Sequence, residues 1–425
     1  MKVELTDLSP IKKSLTIEAD PEDVERETEA VLRRYAGQVR IPGFRPGKAP
    51  LDLVRSRFGD QIHEDVRERL VGRLYAEATR EKNLRPLGEP ALEEISDQGE
   101  TPLRFKTTFE VLPELAPKGY RGVEVREAGV TVADEDVEKA LESLRESQAR
   151  FVTEDGRAAA TGDVVVADVE GTPEGGEPFR REGVMIALGE ADNVPEFNEK
   201  LVGVAAGSNL EFDVSYPEDF AAKELAGKPV AYRLHVHEVK RKEIPALDDE
   251  LAKDLGEFAD LAALRERVRN DLLEEKRAVA SRGTRQAILD KVLIENPVLL
   301  PDVLVDEEIQ HRLEDMVRMM AMQGVDPRTL DVDWKQLRDR QEEPARKMVH
   351  AKLVLDAISR IEGVEAADDE VDGHVRREAQ RAGEKYEKLR ARLEKSGGRE
   401  ALRAQLVREK TLDFLSSVAN IHRGD

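Results

Sequence analysis

Cysteine is absent from this 425-residue sequence, which excludes disulfide bonds, thiolate metal sites and thiol catalysis. Aromatic residues are scarce at 4%, whereas hydrophobic residues make up 40% and charged residues 37%. The apolar content is enough for folded cores, and the charge-rich, aromatic-poor balance favours long exposed helices over one large globule. At about 100–200 residues per domain, the length predicts two to four domains.

Long apolar runs are absent as well. No run reaches the roughly 18 uncharged apolar residues that a membrane-spanning helix needs, and the N-terminal stretch MKVELTDLSPIKKSLTIEAD has no apolar signal-peptide core. We therefore expect a soluble, cytoplasmic protein. Because the net charge is −22, binding of RNA by the whole surface is disfavoured, and any nucleic-acid contact needs a local basic patch.

The hydrophobic pattern predicts an α+β multidomain chain with four regions. They are a mixed α/β domain at 1–115, a connector at 116–150, a small antiparallel β domain at 151–243, and an irregular helical domain with arms at 244–425. In the first region, KKSLTIEAD and LRFKTTFEVLPE alternate like strands. A helix is predicted after residue 50 from apolar residues at helical spacing, namely Val66, Leu70, Leu74 and Ala78.

The stretch RIPGFRPGKAP at 40–50 lies between two predicted helices and is kept non-helical by its prolines and glycines. From Arg33 to Arg57 there are seven basic residues and one acidic residue, a local balance of +6 in a strongly acidic protein. Lysine and arginine can neutralise backbone phosphates, and Phe44 on a turn could enter an apolar crevice or stack on a base. The alternative is a solvated turn whose Phe44 folds back into the core.

A phosphate-binding P-loop fits this stretch poorly. Gly43 and Gly47 have three residues between them rather than four, and Ala49 stands where serine or threonine should follow the lysine.

The motif GFRPGKAP between two helices, together with the domain order, resembles the trigger factor family of bacterial ribosome-associated chaperones. The resemblance covers essentially the whole chain. It implies that the motif docks beside the polypeptide exit of the large ribosomal subunit, where ribosomal RNA and a large-subunit protein are the partners. The implied docking residues are Gly43, Phe44, Arg45, Pro46, Gly47 and Lys48. Pro42 departs from the polar residue expected there and should stiffen the loop.

The β domain resembles FKBP-type prolyl isomerases in DVEG, in NVPEFNEKLVGVAAGS and in YPEDFAAKELAGK. This chemistry needs no nucleophile and no metal, because an apolar pocket that disfavours the planar, charge-separated amide lowers a rotation barrier of about 20 kcal/mol. The resemblance implies that the Val194 N–H donates to the substrate carbonyl. The implied pocket residues are Val169, Phe179, Val184, Val194, Phe197, Phe220 and Tyr232.

Several pocket positions depart from the family pattern. Val169 and Val184 stand where aromatic residues are usual, Phe220 replaces a tyrosine, Arg180 replaces an acid and Glu196 replaces a glycine; the loop before Leu188 is a few residues short. These changes remove wall area and a polar contact, so we expect weak isomerase activity. An FKBP-like domain that serves only as a spacer or binding surface is the alternative.

Four of the seven methionines cluster at Met316, Met319, Met320 and Met322. Methionine recurs on promiscuous binding surfaces, so this segment is either a contact patch for unfolded clients or the packed core of a helix. His235 and His237 share one face of a strand, but no third ligand lies nearby in the sequence. We expect no metal and no other cofactor.

We therefore predict an ATP-independent chaperone that binds nascent and unfolded polypeptides and has FKBP-type isomerase activity. DNA and membranes are not expected partners. The sequence leaves open whether the free protein forms a weak homodimer. The rival hypotheses are a free-standing isomerase with helical appendages and a ribosome-assembly factor that binds no unfolded clients. The basic loop argues against the first rival, and the acidity and amphipathic helices argue against the second.

Overall fold

The computed structural model describes residues 1–39, 42, 44, 49–96, 103–154, 156–190, 193–217, 225, 227–327 and 332–424. The chain divides into two compact units. The first unit is Met1–Glu127 with Arg282–Asp425, and the second unit is Ala128–Ser281. The four domain limits taken from the sequence stay a prediction.

The first unit begins with an antiparallel sheet in the order β1-β2-β4-β3. Its strands are β1 Lys2–Asp7, β2 Lys12–Glu18, β3 Pro86–Ser96 and β4 Arg104–Val111. Strands β2 and β4 were predicted, whereas β1 and β3 were not; both are largely exposed edge strands, and β3 contains two prolines and two register shifts against β4 that interrupt its alternation.

Two helices pack on this sheet, α1 at Pro21–Gln38 and α2 at Leu51–Glu81. Helix α1 has Pro21 at its first position and acidic residues in its first turn, both of which favour a helix N-terminus. The predicted apolar stripe of α2 is confirmed, since all four of its residues are buried in one core with Leu15 and Phe105 of the sheet.

The rest of the first unit is helical, as predicted, apart from two short strands within the described residues. Strands β5 Glu124–Glu127 and β11 Asn420–Arg423 pair in parallel. The helices are α6 Leu261–Glu295, of which the part from Arg282 belongs to this unit, α7 Asp302–Met322, α8 Trp334–Glu362, α9 Asp368–Arg381, α10 Tyr386–Ser396 and α11 Gly398–Val418.

The second unit is built around strand β10 at Pro229–Glu243, which pairs antiparallel with three other strands. The strands of this sheet besides β10 are β6 Arg150–Thr153, β7 Val164–Pro173, β8 Phe179–Ala187 and β9 Asn209–Ser215. The helices are α3 Asp134–Ser147, α4 Pro195–Leu201, α5 Asp249–Leu255 and the first part of α6. This arrangement confirms the predicted α+β class and the small antiparallel domain.

A bilayer span needs a helix that is both long and apolar. Within the described ranges, no helix combines these two properties.

Asn296, which follows α6, fixes the connector in the first unit. Its side chain is buried; its Oδ1 accepts from the Lys118 N–H at 2.8 Å, and its Nδ2 donates to the carbonyls of Lys118 at 2.9 Å and Val292 at 2.8 Å. A buried amide that satisfies both backbone groups of one residue holds that residue in a single position.

Replacing Asn296 by alanine should therefore lower the free energy of unfolding of the first unit by about 3 kcal/mol, because three buried hydrogen bonds disappear. Calorimetry of the full chain measures the shift, and hydrogen exchange of residues 116–123 should become faster. Asn270→Ala within α6 is the control, since Asn270 is exposed and its side-chain bond to Glu266 is 3.4 Å long. Equal effects of the two variants would contradict this role of Asn296.

Candidate functional site

A row of four residues crosses the sheet of the second unit. The strand register pairs Phe179 of β8 with Gly171 of β7, Gly171 with Tyr232 of β10, and Tyr232 with Phe212 of β9. Residues paired directly across antiparallel strands point to the same face of a sheet. The row therefore brings three aromatic rings and one glycine together on one face.

Tyr232 lies at the centre of this aromatic cluster and is only 4% exposed. Its ring contacts Phe179 at 6.1 Å between centroids, Phe212 at 6.1 Å and Phe197 of helix α4 at 4.9 Å. Phe197 also meets Phe212 edge-on at 5.1 Å. Edge-to-face pairs at these distances are favourable, so α4 is seated on the sheet by its phenylalanine.

Gly171 makes the contact between Phe179 and Tyr232 feasible. These two aromatic residues lie two strands apart, a separation of roughly 9–10 Å between backbones. A Cβ atom on Gly171 would lie 2.3 Å from the Phe179 Cζ, so the Phe179 ring occupies the space that a side chain at 171 would take. The missing side chain lets Phe179 lean over β7 and reach Tyr232.

The hydroxyl of Tyr232 is the polar group within this cluster. It forms a hydrogen bond with the Tyr216 hydroxyl at 2.7 Å. Burial and this bond raise the pKa of Tyr232 well above its ordinary value, so the phenol stays neutral at physiological pH. The cluster thus offers an uncharged, largely apolar surface, which is what destabilises a charge-separated amide.

The predicted pocket residues that the structure describes all belong to one apolar cluster. Val169 and Tyr232 are buried in it, and those partly buried against it are Phe179, Val184, Val194 and Phe197. Phe220 lies outside the described residues. The assignment of these residues to a substrate pocket stays a prediction.

Arg180, which stands where the family has an acid, lies on the other face of the sheet from Phe179. It pairs with Glu170 in the register, and its guanidinium contacts the carboxylates of Glu170 at 3.1 Å and Asp168 at 3.5 Å. Hydrogen bonds from the Gly183 N–H and from His237 hold the pKa of Asp168 below its usual value. The positive charge of Arg180 is therefore neutralised away from the aromatic cluster.

The basic stretch joins α1, which ends at residue 38, to α2, which begins at residue 51. Phe44 is 43% exposed and is not part of the core, against the alternative that it folds back. Gly43, Arg45, Pro46, Gly47 and Lys48 lie outside the described residues. Their docking role stays a prediction.

Not every base near this stretch is available to a partner. Arg33 forms an ion pair with Glu29 at 2.8 Å, and Arg34 pairs with Asp65. Arg55 and Arg57 are exposed and form no ion pair with any described residue.

The methionine cluster lies at the end of α7. Met319 and Met322 are 62% and 81% exposed, whereas Met316 and Met320 are half-buried. A cleft of about 660 Å³ also lies at the end of α7, lined by the apolar residues Val317, Ala321, Val325, Pro327 and Trp334 and by Gly324 and Asp326, but by none of the four methionines. The helix is thus not simply packed into a core, although binding of clients by these methionines stays a prediction.

Comparison with known proteins agrees with these features. The model of the bacterial trigger factor protein family matches residues 1–144, and the model of its C-terminus matches residues 260–417. The trigger factor of Solibacter usitatus is 34% identical over 95% of this chain and 96% of its own length, and that of Geobacillus kaustophilus is 34% identical over 94% and 95%. The chain belongs to the trigger factor family.

A solved structure of a trigger factor chaperone, reported for promiscuous substrate recognition in folding and assembly, shares the fold of this family member. It aligns over 98% of this chain and 99% of its own length with a TM-score of 0.56 and 22% identity. The model of FKBP-type peptidyl-prolyl cis-trans isomerases matches residues 155–237, which include the aromatic cluster. The chain therefore carries an isomerase domain of FKBP type.

Three residues of the site were missed at the level of sequence, namely Gly171, Phe212 and Tyr216. The alternation in NLEFDVSY does place Phe212 on one face with Leu210 and Val214, which are also packed into the cluster. Gly171 ends the motif DVEG, but only the pairing register shows that it lies between two aromatic residues.

The two histidines of β10 do share a face, as expected. His235 Nδ1 lies 2.7 Å from Asn209 Oδ1, and His237 Nε2 lies 2.9 Å from Asp168 Oδ1. In the part of the chain that the structure describes, no group of three or more histidine, aspartate or glutamate residues is arranged to hold a metal ion.

Gly171→Ala should displace Phe179 from the aromatic cluster. We expect unfolding of the second unit to become easier by about 1–3 kcal/mol, because the added methyl group overpacks the site. The value of kcat/KM for isomerisation of a short X-Pro peptide should fall about tenfold, since the wall loses a ring.

Gly72→Ala is the matched control. Gly72 lies within α2, and no neighbouring atom comes within 4 Å of the position that a Cβ would take there. The added methyl should therefore be neutral or stabilise the helix by up to about 1 kcal/mol. An active, stable Gly171→Ala chain would show that Phe179 does not need this gap.

Proposed function

We propose that this chain is an ATP-independent, ribosome-associated chaperone that receives nascent polypeptides at the tunnel exit and also has weak prolyl isomerase activity. Membership of the trigger factor family carries this proposal, and three local features of the described residues support it. The setting is the cytoplasm, and no cofactor takes part.

The docking site is the stretch around Phe44. An exposed aromatic side chain on a proline-rich turn can insert into a crevice at little entropic cost, because the prolines already restrict the backbone. Leu51 and Leu53 at the start of α2 are also exposed and extend the apolar surface, while Arg55 and Arg57 add positive charge. This surface of exposed apolar and basic side chains binds ribosomal RNA and a protein of the large subunit at the tunnel exit.

Unfolded clients bind at the exposed methionines of α7. Met319 and Met322 present flexible, polarizable side chains at the end of α7, and a mainly apolar cleft with Trp334, the only tryptophan of the chain, is lined by other residues of the same helix end. Such a surface can adapt to many sequences. Binding is weak and exchanges quickly, so release needs no nucleotide.

The isomerase site is the aromatic cluster together with the Val194 N–H, which donates to the substrate carbonyl. Among the described residues no acceptor takes this N–H, so it is free to bind a substrate. The rate is low because valines at 169 and 184 give less wall area than the aromatic residues usual there.

The docking proposal is tested by co-sedimentation with large ribosomal subunits across a salt series. The wild-type chain should bind, and its affinity should fall as salt rises, because bound bases release counterions from RNA. The variant Phe44→Ala/Arg45→Ala/Lys48→Ala should lose at least tenfold in affinity and show a shallower salt dependence.

A charge-matched control is Val279→Ala/Arg277→Ala/Arg282→Ala on α6, which also removes one exposed apolar side chain and two exposed bases. It should bind like the wild type. Equal binding by both triple variants, or no binding by the wild type, would contradict docking through residues 43–48 and favour a free-standing isomerase. Binding without any protection of unfolded clients would favour an assembly factor.

A further inference from the structure

Gly189 and Glu190, which follow β8, are held by the side chain of Asn198, and a second asparagine, Asn193, bonds to the end of the strand. Asn198 lies in α4, and its Oδ1 accepts from the backbone N–H of Gly189 at 2.9 Å and from the Asn193 amide at 3.1 Å. Its Nδ2 donates to the Glu190 carbonyl at 3.3 Å, and the Asn193 amide also donates to the Ala187 carbonyl. We call these two residues the asparagine clamp.

The clamp connects the end of the sheet to the helix that carries the aromatic wall. Ala187 is the last residue of β8, and Asn198 directly follows Phe197, whose ring rests on Tyr232. Helix α4 has only seven residues, so its own hydrogen bonds fix its position poorly. The side-chain bonds of Asn198 therefore add a second constraint on α4, beside the packing of Phe197 on the sheet.

The two asparagines of the clamp also lie on either side of Val194, whose backbone N–H belongs to the proposed site. Val194 lies next to Asn193, and the Asn193 N–H itself donates to the Glu190 carbonyl at 3.2 Å. Asparagine suits this role because one side chain offers both a donor and an acceptor.

We infer that Asn198, assisted by Asn193, is a positioning residue for prolyl isomerisation that sets the Val194 N–H and the Phe197 ring at a fixed distance from each other. This inference rests on the proposed isomerase site. Neither asparagine touches the reacting amide. Their effect arises because a shift of about 1 Å between donor and wall can reduce a rate up to about a hundredfold.

The test measures kcat and KM for isomerisation of a short X-Pro peptide with the full-length chain and two variants. Asn198→Leu preserves the approximate shape of the side chain and removes all three of its hydrogen bonds. Asn198→Asp keeps the acceptor for Gly189 and Asn193 and loses only the donor to Glu190. We expect kcat/KM to fall about tenfold in Asn198→Leu, chiefly through kcat, and to stay within about threefold of wild type in Asn198→Asp.

Asn209→Leu is the matched control. Asn209 bonds to His235 and is exposed, with neither residue packed into the aromatic cluster, so its kcat/KM should equal that of the wild type. In amide NMR spectra of the full chain, Asn198→Leu should shift the signals of Gly189 and Val194, and Asn209→Leu should leave them in place.

Two outcomes would overturn the inference, and they differ from each other. If the wild type is active and Asn198→Leu is equally active, or Asn198→Asp fails as completely as Asn198→Leu, the asparagines do not position the site. If the wild type turns over no X-Pro peptide at all, the proposed activity and this inference fall together.

Discussion

The absence of a side chain at one position controls the geometry of the isomerase domain. Because Gly171 leaves a gap on β7, Phe179 reaches Tyr232 from two strands away, and Tyr232 in turn supports Phe197 and hence helix α4. The cluster is uncharged, since the one hydroxyl at its centre is buried, bonded to Tyr216 and kept neutral by a raised pKa. We propose that the cluster acts by excluding water from a bound amide rather than by attacking it.

Much of this architecture could be read from the sequence, and the exceptions have physical causes. The stripe from Val66 to Ala78 predicted α2 because helical periodicity is a local property. Strands β1 and β3 were missed because edge strands are largely exposed and carry a weak apolar pattern, which prolines and bulges interrupt further in β3. Strand β11 was missed because its partner β5 lies far away in the sequence. The roles of Gly171 and of the asparagine clamp depend on strand register and loop conformation, which composition and spacing do not reveal.

Some of the basic residues near the N-terminus are already paired with acids, so a count of charges overstates the positive charge that a partner could use. The excess of bases from Arg33 to Arg57 includes two arginines, Arg33 and Arg34, that are already paired with acids of α1 and α2. Exposed ion pairs of this type add little stability. We propose that the basic residues around Phe44 serve a phosphate-rich partner, which would account for a basic turn in a protein of net charge −22.

We assign client binding and isomerisation to different parts of the chain, with neither activity requiring nucleotide. Refolding of a protein whose slow phase is an X-Pro isomerisation tests this assignment most directly, with the rate of that phase and light scattering as two readouts. Phe197→Leu should abolish acceleration of the slow phase and still suppress aggregation, whereas Met319→Ser/Met322→Ser should show the reverse. Parallel loss of both activities in both variants, or full acceleration by Phe197→Leu, would contradict the account.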